Sequence, residues 1–228
     1  IDWYNKGISC DIKDLRLEYF CNVVRILLNN NSITGTIPRE IKSLRRVYKL
    51  VLYDTSIEGA IPLELSYCGD LQYLSMDRTQ INDYEKGAIG KHMNRLNYIS
   101  LKDCKLSQEA VDNILIDLRD AVNYHKCYIG HFPLIENHYK VDLSGRYNRE
   151  PSGSINDPDT GLGAKYQLEN AITELGADVN WTVYVNEAPP DTVPADYLDK
   201  MAFWCDAALG ITKDGSNLVS EWKDLNIT

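Results

Sequence analysis

Along the first half of the chain, apolar and polar positions alternate on a short period that is itself repeated on a long one. Residues 23–38 read VVRILLNNNSITGTIP, residues 47–62 read VYKLVLYDTSIEGAIP and residues 71–86 read LQYLSMDRTQINDYEK, with starts 24 residues apart. All three are apolar at their first, fourth, sixth and eleventh places, and a fourth copy, LNYISLKDCKL at residues 96–106, starts 25 residues after the third. Alternation around the fourth and sixth places (Ile26 and Leu28, Leu50 and Leu52, Leu74 and Met76, Ile99 and Leu101) predicts one short strand per copy with these side chains turned inward. A helix is the rival for a short apolar run such as VVRILL, but β-branched content, turn residues and fourfold recurrence all favour strands. One such unit cannot bury its apolar edge alone, so the copies stack and their strands pair in parallel.

The ninth place holds Asn31, Thr55, Thr79 and Cys104. It falls where the chain leaves the strand, and a small polar side chain there satisfies buried backbone groups through local hydrogen bonds. Gly35 and Gly59 permit the next turn, and Pro38 and Pro62 fix the backbone on the opposite, convex side, where a missing amide donor does little harm. After Leu106 the period lengthens. Residues 107–122, SQEAVDNILIDLRDAV, predict an amphipathic helix with Ser107 as N-cap and Val111, Ile114, Leu115, Leu118 and Val122 on one face. Residues 138–145 predict a fifth strand with Val141 and Leu143 inward, residues 164–177 a second helix ended by Gly176, and residues 180–186 a last strand.

The pattern LxxLxLxx(N/T/C)xL carried by the four copies resembles the leucine-rich repeat. The GTIP and GAIP tails of the first two look like its 24-residue form, best known from plant receptors and present also in bacterial and phage proteins. This resemblance implies an α/β fold, a solenoid with a parallel β-sheet on one face, preceded by an N-terminal cap at residues 1–22 and running over residues 23–185. A helix-strand C-terminal cap would cover the open edge that a solenoid leaves. Residues 186–196, NEAPPDTVPAD, read as a stiff Pro-rich linker. Beyond them, FWCDAALGITKDGSNLVSEWKDL resembles the opening strands of laminin-G or concanavalin-like lectin domains, which implies that residues 197–228 start a second, β-rich domain. About thirty residues cannot close such a jelly roll.

Composition narrows the function classes. The formal charge of −9 argues against a nucleic-acid partner, which needs clustered Lys and Arg, and no apolar run reaches the length of a membrane span. Six cysteines in 228 residues do not make a disulfide framework. Cys10 and Cys21 either close the N-terminal cap or act as apolar filler, while Cys68 and Cys104 fall in repeat interiors as buried thiols. No nucleophile elbow, HExxH, phosphate loop or EF-hand spacing is present, so no catalytic residue, cofactor or metal is expected. DPDTGLG at residues 157–163 has a calcium-loop flavour but lacks the remaining ligands, and reads as a turn that starts a helix. His125, Cys127, His131 and His138 are zinc-ligating types without a zinc spacing, and His92 stands apart from them.

The side chains that alternate with the inward ones define an outer sheet face in three columns. The first is Arg25, Lys49, Tyr73, Tyr98 and Lys140; the second is Leu27, Val51, Ser75, Ser100 and Asp142; the third is Asn29, Tyr53, Asp77, Lys102 and Ser144. Tyrosines among Lys, Arg and Asp suit recognition, because each offers rigid area with a polar tip. Arg25, Asn29, Lys49, Tyr53, Tyr73, Asp77, Tyr98, Lys102 and Lys140 are therefore the candidate binding residues. They imply a non-enzymatic module for adhesion or receptor binding, outside the cell or on a virion, with a protein or cell-surface glycan as partner. The alternative is a structural subunit of a phage particle that uses the solenoid for contacts with other virion subunits. A third idea places catalysis in a domain beyond Thr228, and fold alone does not choose among the three.

Overall fold

The computed structural model describes residues 1–93, 95–128, 139–170, 181–186, 211–213 and 219–222. They divide into two compact units, residues 1–187 and 188–228. In the first unit each copy contributes one strand to a six-stranded parallel sheet: β2 (Arg25–Leu27), β4 (Lys49–Val51), β6 (Tyr73–Ser75), β8 (Tyr98–Ser100), β9 (Lys140–Asp142) and β10 (Thr182–Tyr184). The residue after the turn starts a second parallel sheet, with β1 (Ser9–Asp11), β3 (Ser32–Thr36), β5 (Ser56–Ile61) and β7 (Gln80–Tyr84) in that order. On the convex side 3-10 turns at Leu17–Phe20, Arg39–Ser43 and Leu63–Tyr67 close the coils. Pro38 and Pro62 precede the last two in extended conformation, with φ of −76° and −78°, as their fixed ring geometry requires.

The inward positions fill the space between the layers. Ile26, Leu28, Leu50, Leu52, Leu74, Met76, Ile99 and Leu101 are all at most 3% exposed, and the eleventh-place residues Ile33, Ile57, Ile81 and Leu106 are fully covered. The ninth-place ladder works through side chains: Asn31 donates to the Leu28 carbonyl at 2.8 Å, Thr55 to Leu52 at 2.7 Å, Thr79 to Met76 at 2.8 Å, and the Cys104 thiol also to Met76 at 3.2 Å. One place earlier, Asn30, Asp54, Arg78 and Asp103 all have φ between 53° and 56°, the left-handed region, which Asn and Asp tolerate better than other non-glycine residues. Gly35 sits at φ +87°, and a Cβ there would lie 2.5 Å from the Asp11 carboxylate.

Residues 1–22, expected as a cap, form a further coil of the same kind. Asn5 has the left-handed φ of 51°, Trp3 and Asn5 donate to the Leu27 and Asn29 carbonyls, and Lys6 and Ile8 N–H groups reach Asn31 Oδ1. Cys10 and Cys21 are not bonded to each other; Cys10 is half-buried and Cys21 is exposed. Cys68 and Cys104 are buried and free, and burial pushes them up to about 12 and about 11.

The helix α1 (Gln108–Tyr128) replaces a convex segment, and Ser107 Oγ accepts the Ala110 N–H at 3.1 Å as its cap. The second helix, α2 (Gly161–Asn170), begins three residues before the sequence pattern places it, because Thr160 Oγ1 accepts the Gly163 N–H at 3.2 Å. The DPDTGLG stretch is thus the turn that starts α2, with Asp157 Oδ1 accepting the Asp159 N–H. Gly176, residues 125–138 except for the backbone of the end of α1, and the Pro-rich linker lie outside the described residues. In the second unit, β11 (Ile211–Lys213) and β12 (Val219–Trp222) pair antiparallel.

Candidate functional site

Strand register decides which outward residues meet. Arg25, Lys49, Tyr73, Tyr98 and Lys140 are successive partners across β2, β4, β6, β8 and β9, so the first column exists as one straight line. Within it Tyr73 and Tyr98 stack face to face, with ring centres 4.1 Å apart and an interplanar angle of 2°. Lys49 Nζ lies 4.2 Å from the Tyr73 ring centre, and on the other side Lys140 Nζ lies 5.8 Å from Tyr98 and 4.8 Å from Tyr184. Each such cation–ring contact contributes roughly 0.5–1 kcal/mol at an exposed site, and the stack holds the lysine chains in place.

The electrostatics follow from this crowding. Burial, then the neighbouring Tyr98, raises Tyr73 well above an ordinary phenol, so its hydroxyl stays a neutral donor. Burial pulls the Lys140 ammonium down, but the 3.3 Å pairing with Asp142 outweighs it and leaves Lys140 above the usual lysine value. With faces occupied by each other and by ammonium groups, the tyrosines offer a partner their edges and hydroxyl tips.

The second column behaves differently from expectation. Val51, Ser75, Ser100 and Asp142 are in register on the outer face yet are 5%, 2%, 2% and 7% exposed. These side chains are covered between the first and third columns, whose residues are half-buried or exposed apart from Asn29. Asp77, Tyr53 and Ser144 are half-buried and Lys102 is exposed. Asn29 is the correction: it is 4% exposed, because the unforeseen N-terminal coil runs along β2 and donates the Asn5 N–H to its carbonyl at 3.1 Å. Arg25 stays exposed at that end, 3.9 Å from Asp2.

Three residues of this face escaped the pattern. Arg78 grips Asp54 with two N–H groups at 2.6 and 2.7 Å while its guanidinium lies 5.7 Å from the Tyr53 ring. This contact raises Arg78 and lowers Asp54 from their ordinary values. Opposite charges 24 residues apart, one coil, were its readable signal. Tyr184 joins the column from β10, where no repeat period announced it.

Among the described residues no group of His, Cys, Asp and Glu is placed to hold a metal, and no helix is long and apolar enough to cross a membrane. His125, Cys127, His131 and His138 lie outside the residues whose side chains are described, and His92 is exposed.

Comparison with known proteins yields a match of residues 22–44 to the family model described as Leucine Rich Repeat. No curated protein matches the chain. Among solved structures, the BIR2 ectodomain of Arabidopsis thaliana is similar at 24% identity over 46% of this chain and 55% of that one, with a TM-score of 0.43. The leucine-rich repeat ectodomain of the Arabidopsis thaliana receptor kinase SOBIR1 is similar at 18% identity over 47% of this chain and 56% of that one, with a TM-score of 0.43. An internalin C2 of Listeria monocytogenes is similar at 19% identity over 43% of each chain, with a TM-score of 0.33. The chain thus spans little more than half the length of the two plant ectodomains. None of these matches carries the lectin-like or phage resemblance of the sequence. The repeats, their strand register and the family match together establish the fold: an α/β leucine-rich repeat solenoid.

Proposed function

We propose that the chain is a non-enzymatic recognition module that binds an extended segment of a protein partner across the six-stranded sheet, in an extracellular setting. The observation that carries this reading is the Lys49–Tyr73–Tyr98–Lys140 stack along the outer face of the sheet. Rigid aromatic groups already held in one rotamer lose little entropy on binding. The half-buried lysines and the carboxylates of Asp77 and Asp142 supply both signs of charge along the sheet face, which favours mixed-charge protein segments over a uniformly charged polymer.

The test is to select binders from a random peptide library on the intact chain and map them by NMR. Shifts concentrated on Tyr73, Tyr98 and Tyr53 are expected. Shifts concentrated on the convex residues Leu63 and Tyr67 would transfer the working surface to the other side, and selection of glycans in a parallel array, with no peptide binder, would replace the partner class.

A further inference from the structure

We propose a second, separate binding site on the flank of the solenoid, a cavity of about 540 Å³ lined by Arg78, Thr79, Gln80, Asp103, Lys105 and Tyr147, that takes an acidic side chain of a protein partner. It lies where the chain leaves β6 and β8, beyond the tyrosine stack and bordering the sheet face through Arg78, and stands whether or not the stack binds anything.

The cavity owes its third wall to a departure from the repeat. In the first copies the ninth-place residue sits directly after the left-handed residue, and Asn31 does its work there with Nδ2 on the Leu28 and Trp3 carbonyls and Oδ1 on Lys6 and Ile8 N–H groups. After β9 the same work falls to Asn148: its Nδ2 donates to Leu143 and Leu101 carbonyls at 2.9 and 2.8 Å, and its Oδ1 accepts the Leu106 N–H at 3.1 Å. Gly145 holds the left-handed place with φ +119°, so Asn148 arrives two residues late, and Arg146 and Tyr147 are pushed outward as a bulge. Tyr147 is 56% exposed and Arg146 lies 5.7 Å from its ring centre. Insertions in a repeat array map to loops on one face, often the binding face.

Two cationic groups of the lining retain uncommitted donors. Arg78 commits Nε and Nη2 to Asp54, which leaves Nη1 without an acceptor among the described residues. Lys105 is exposed and has no carboxylate within ion-pair distance among them. Asp103, the one carboxylate of the lining, already accepts the Arg146 N–H at 2.8 Å. A carboxylate that enters against the Tyr147 ring therefore meets an unpaired ammonium and a spare guanidinium N–H, the charge-assisted contacts that carboxylates favour. Asp103 and the Asp54 partner of Arg78 stand against an incoming carboxylate, so the preference rests on Lys105 and the uncommitted Arg78 Nη1.

The experiment uses blocked single residues as probes: N-acetyl-glutamate methylamide, and its glutamine and lysine counterparts, titrated into the chain while the Tyr147 ring and Lys105 side-chain NMR signals are followed. The glutamate probe is expected to shift both signals at roughly millimolar concentrations, as suits one side chain. The glutamine and lysine probes should bind at least fivefold more weakly, and so should the glutamate probe with Lys105→Ala or Tyr147→Ala. Tyr73→Ala should leave the titration unchanged, which separates this site from the sheet face. Equal shifts from glutamate and glutamine, or a glutamate response that survives Lys105→Ala, would overturn the proposal.

Discussion

Single side chains hold the coils at points that no periodicity marks. Asn148 is 4% exposed and spans three carbonyls and one N–H, so its replacement strands several buried groups at once. Asn148→Ala is expected to cost about 2–4 kcal/mol, given about 1–3 kcal/mol for each buried partner left unsatisfied and partial access of water. Urea denaturation checks it; a midpoint within error of the parent would remove Asn148 from the ladder. The cysteines divide by environment. Cys68 and Cys104, pushed up to about 12 and about 11 by burial, are expected to resist alkylation in the folded chain at pH 8, whereas the exposed Cys21 reacts before either. Mass spectrometry before and after unfolding reads this, and rapid native labelling of Cys68 would contradict the buried assignment.

Elements carry the next level of the account, and the joint between β7 and α1 is its most titratable part. Tyr84 donates to Asp117 at 2.7 Å and accepts the Ile89 N–H at 2.6 Å, while the Gly87 N–H reaches the same carboxylate. Burial raises Asp117 above its ordinary 3.8 despite these donors. A carboxyl raised in the folded state stabilises fully below its unfolded value and loses that contribution as pH rises through the folded one. Asp117→Asn keeps an acceptor and cannot ionise, so its stability should fall less than the parent's between pH 4 and pH 7; parallel curves would contradict the assignment. The strands of copies one to four were legible because alternation and the 24-residue period reinforce each other at Ile26, Leu50 and Leu74. Leu74→Ala should accordingly cost roughly 2–5 kcal/mol, read as a lower denaturation midpoint. The N-terminal coil was not legible, since Trp3 and Tyr4 stand where other copies have Leu28 and Asn29, and only backbone pairing reveals the equivalence. The early start of α2 depends on the Thr160 cap, a local hydrogen bond that the apolar pattern does not encode.

At the scale of the first unit, the chain is a short solenoid whose sequence specifies the sheet face column by column, but whose relief emerges only from packing. Register followed from the repeat, and so did the meeting of Arg25, Lys49, Tyr73, Tyr98 and Lys140 in one line. The covering of Ser75 and Ser100, the loss of Asn29 to the first coil and the arrival of Tyr184 depend on side-chain packing and on strands outside the period. The central claim is that the tyrosine stack is the working surface. Its most direct test is isothermal titration of one library-selected peptide against the parent, Tyr73→Ala/Tyr98→Ala, and the convex control Arg39→Ala/Glu64→Ala, with circular dichroism to confirm that each remains folded. At least tenfold weaker binding is expected for the tyrosine pair, about 1.4 kcal/mol or more as befits aromatic anchors, and no change for the control. Undiminished binding by the folded tyrosine variant, with loss in the control, would contradict it.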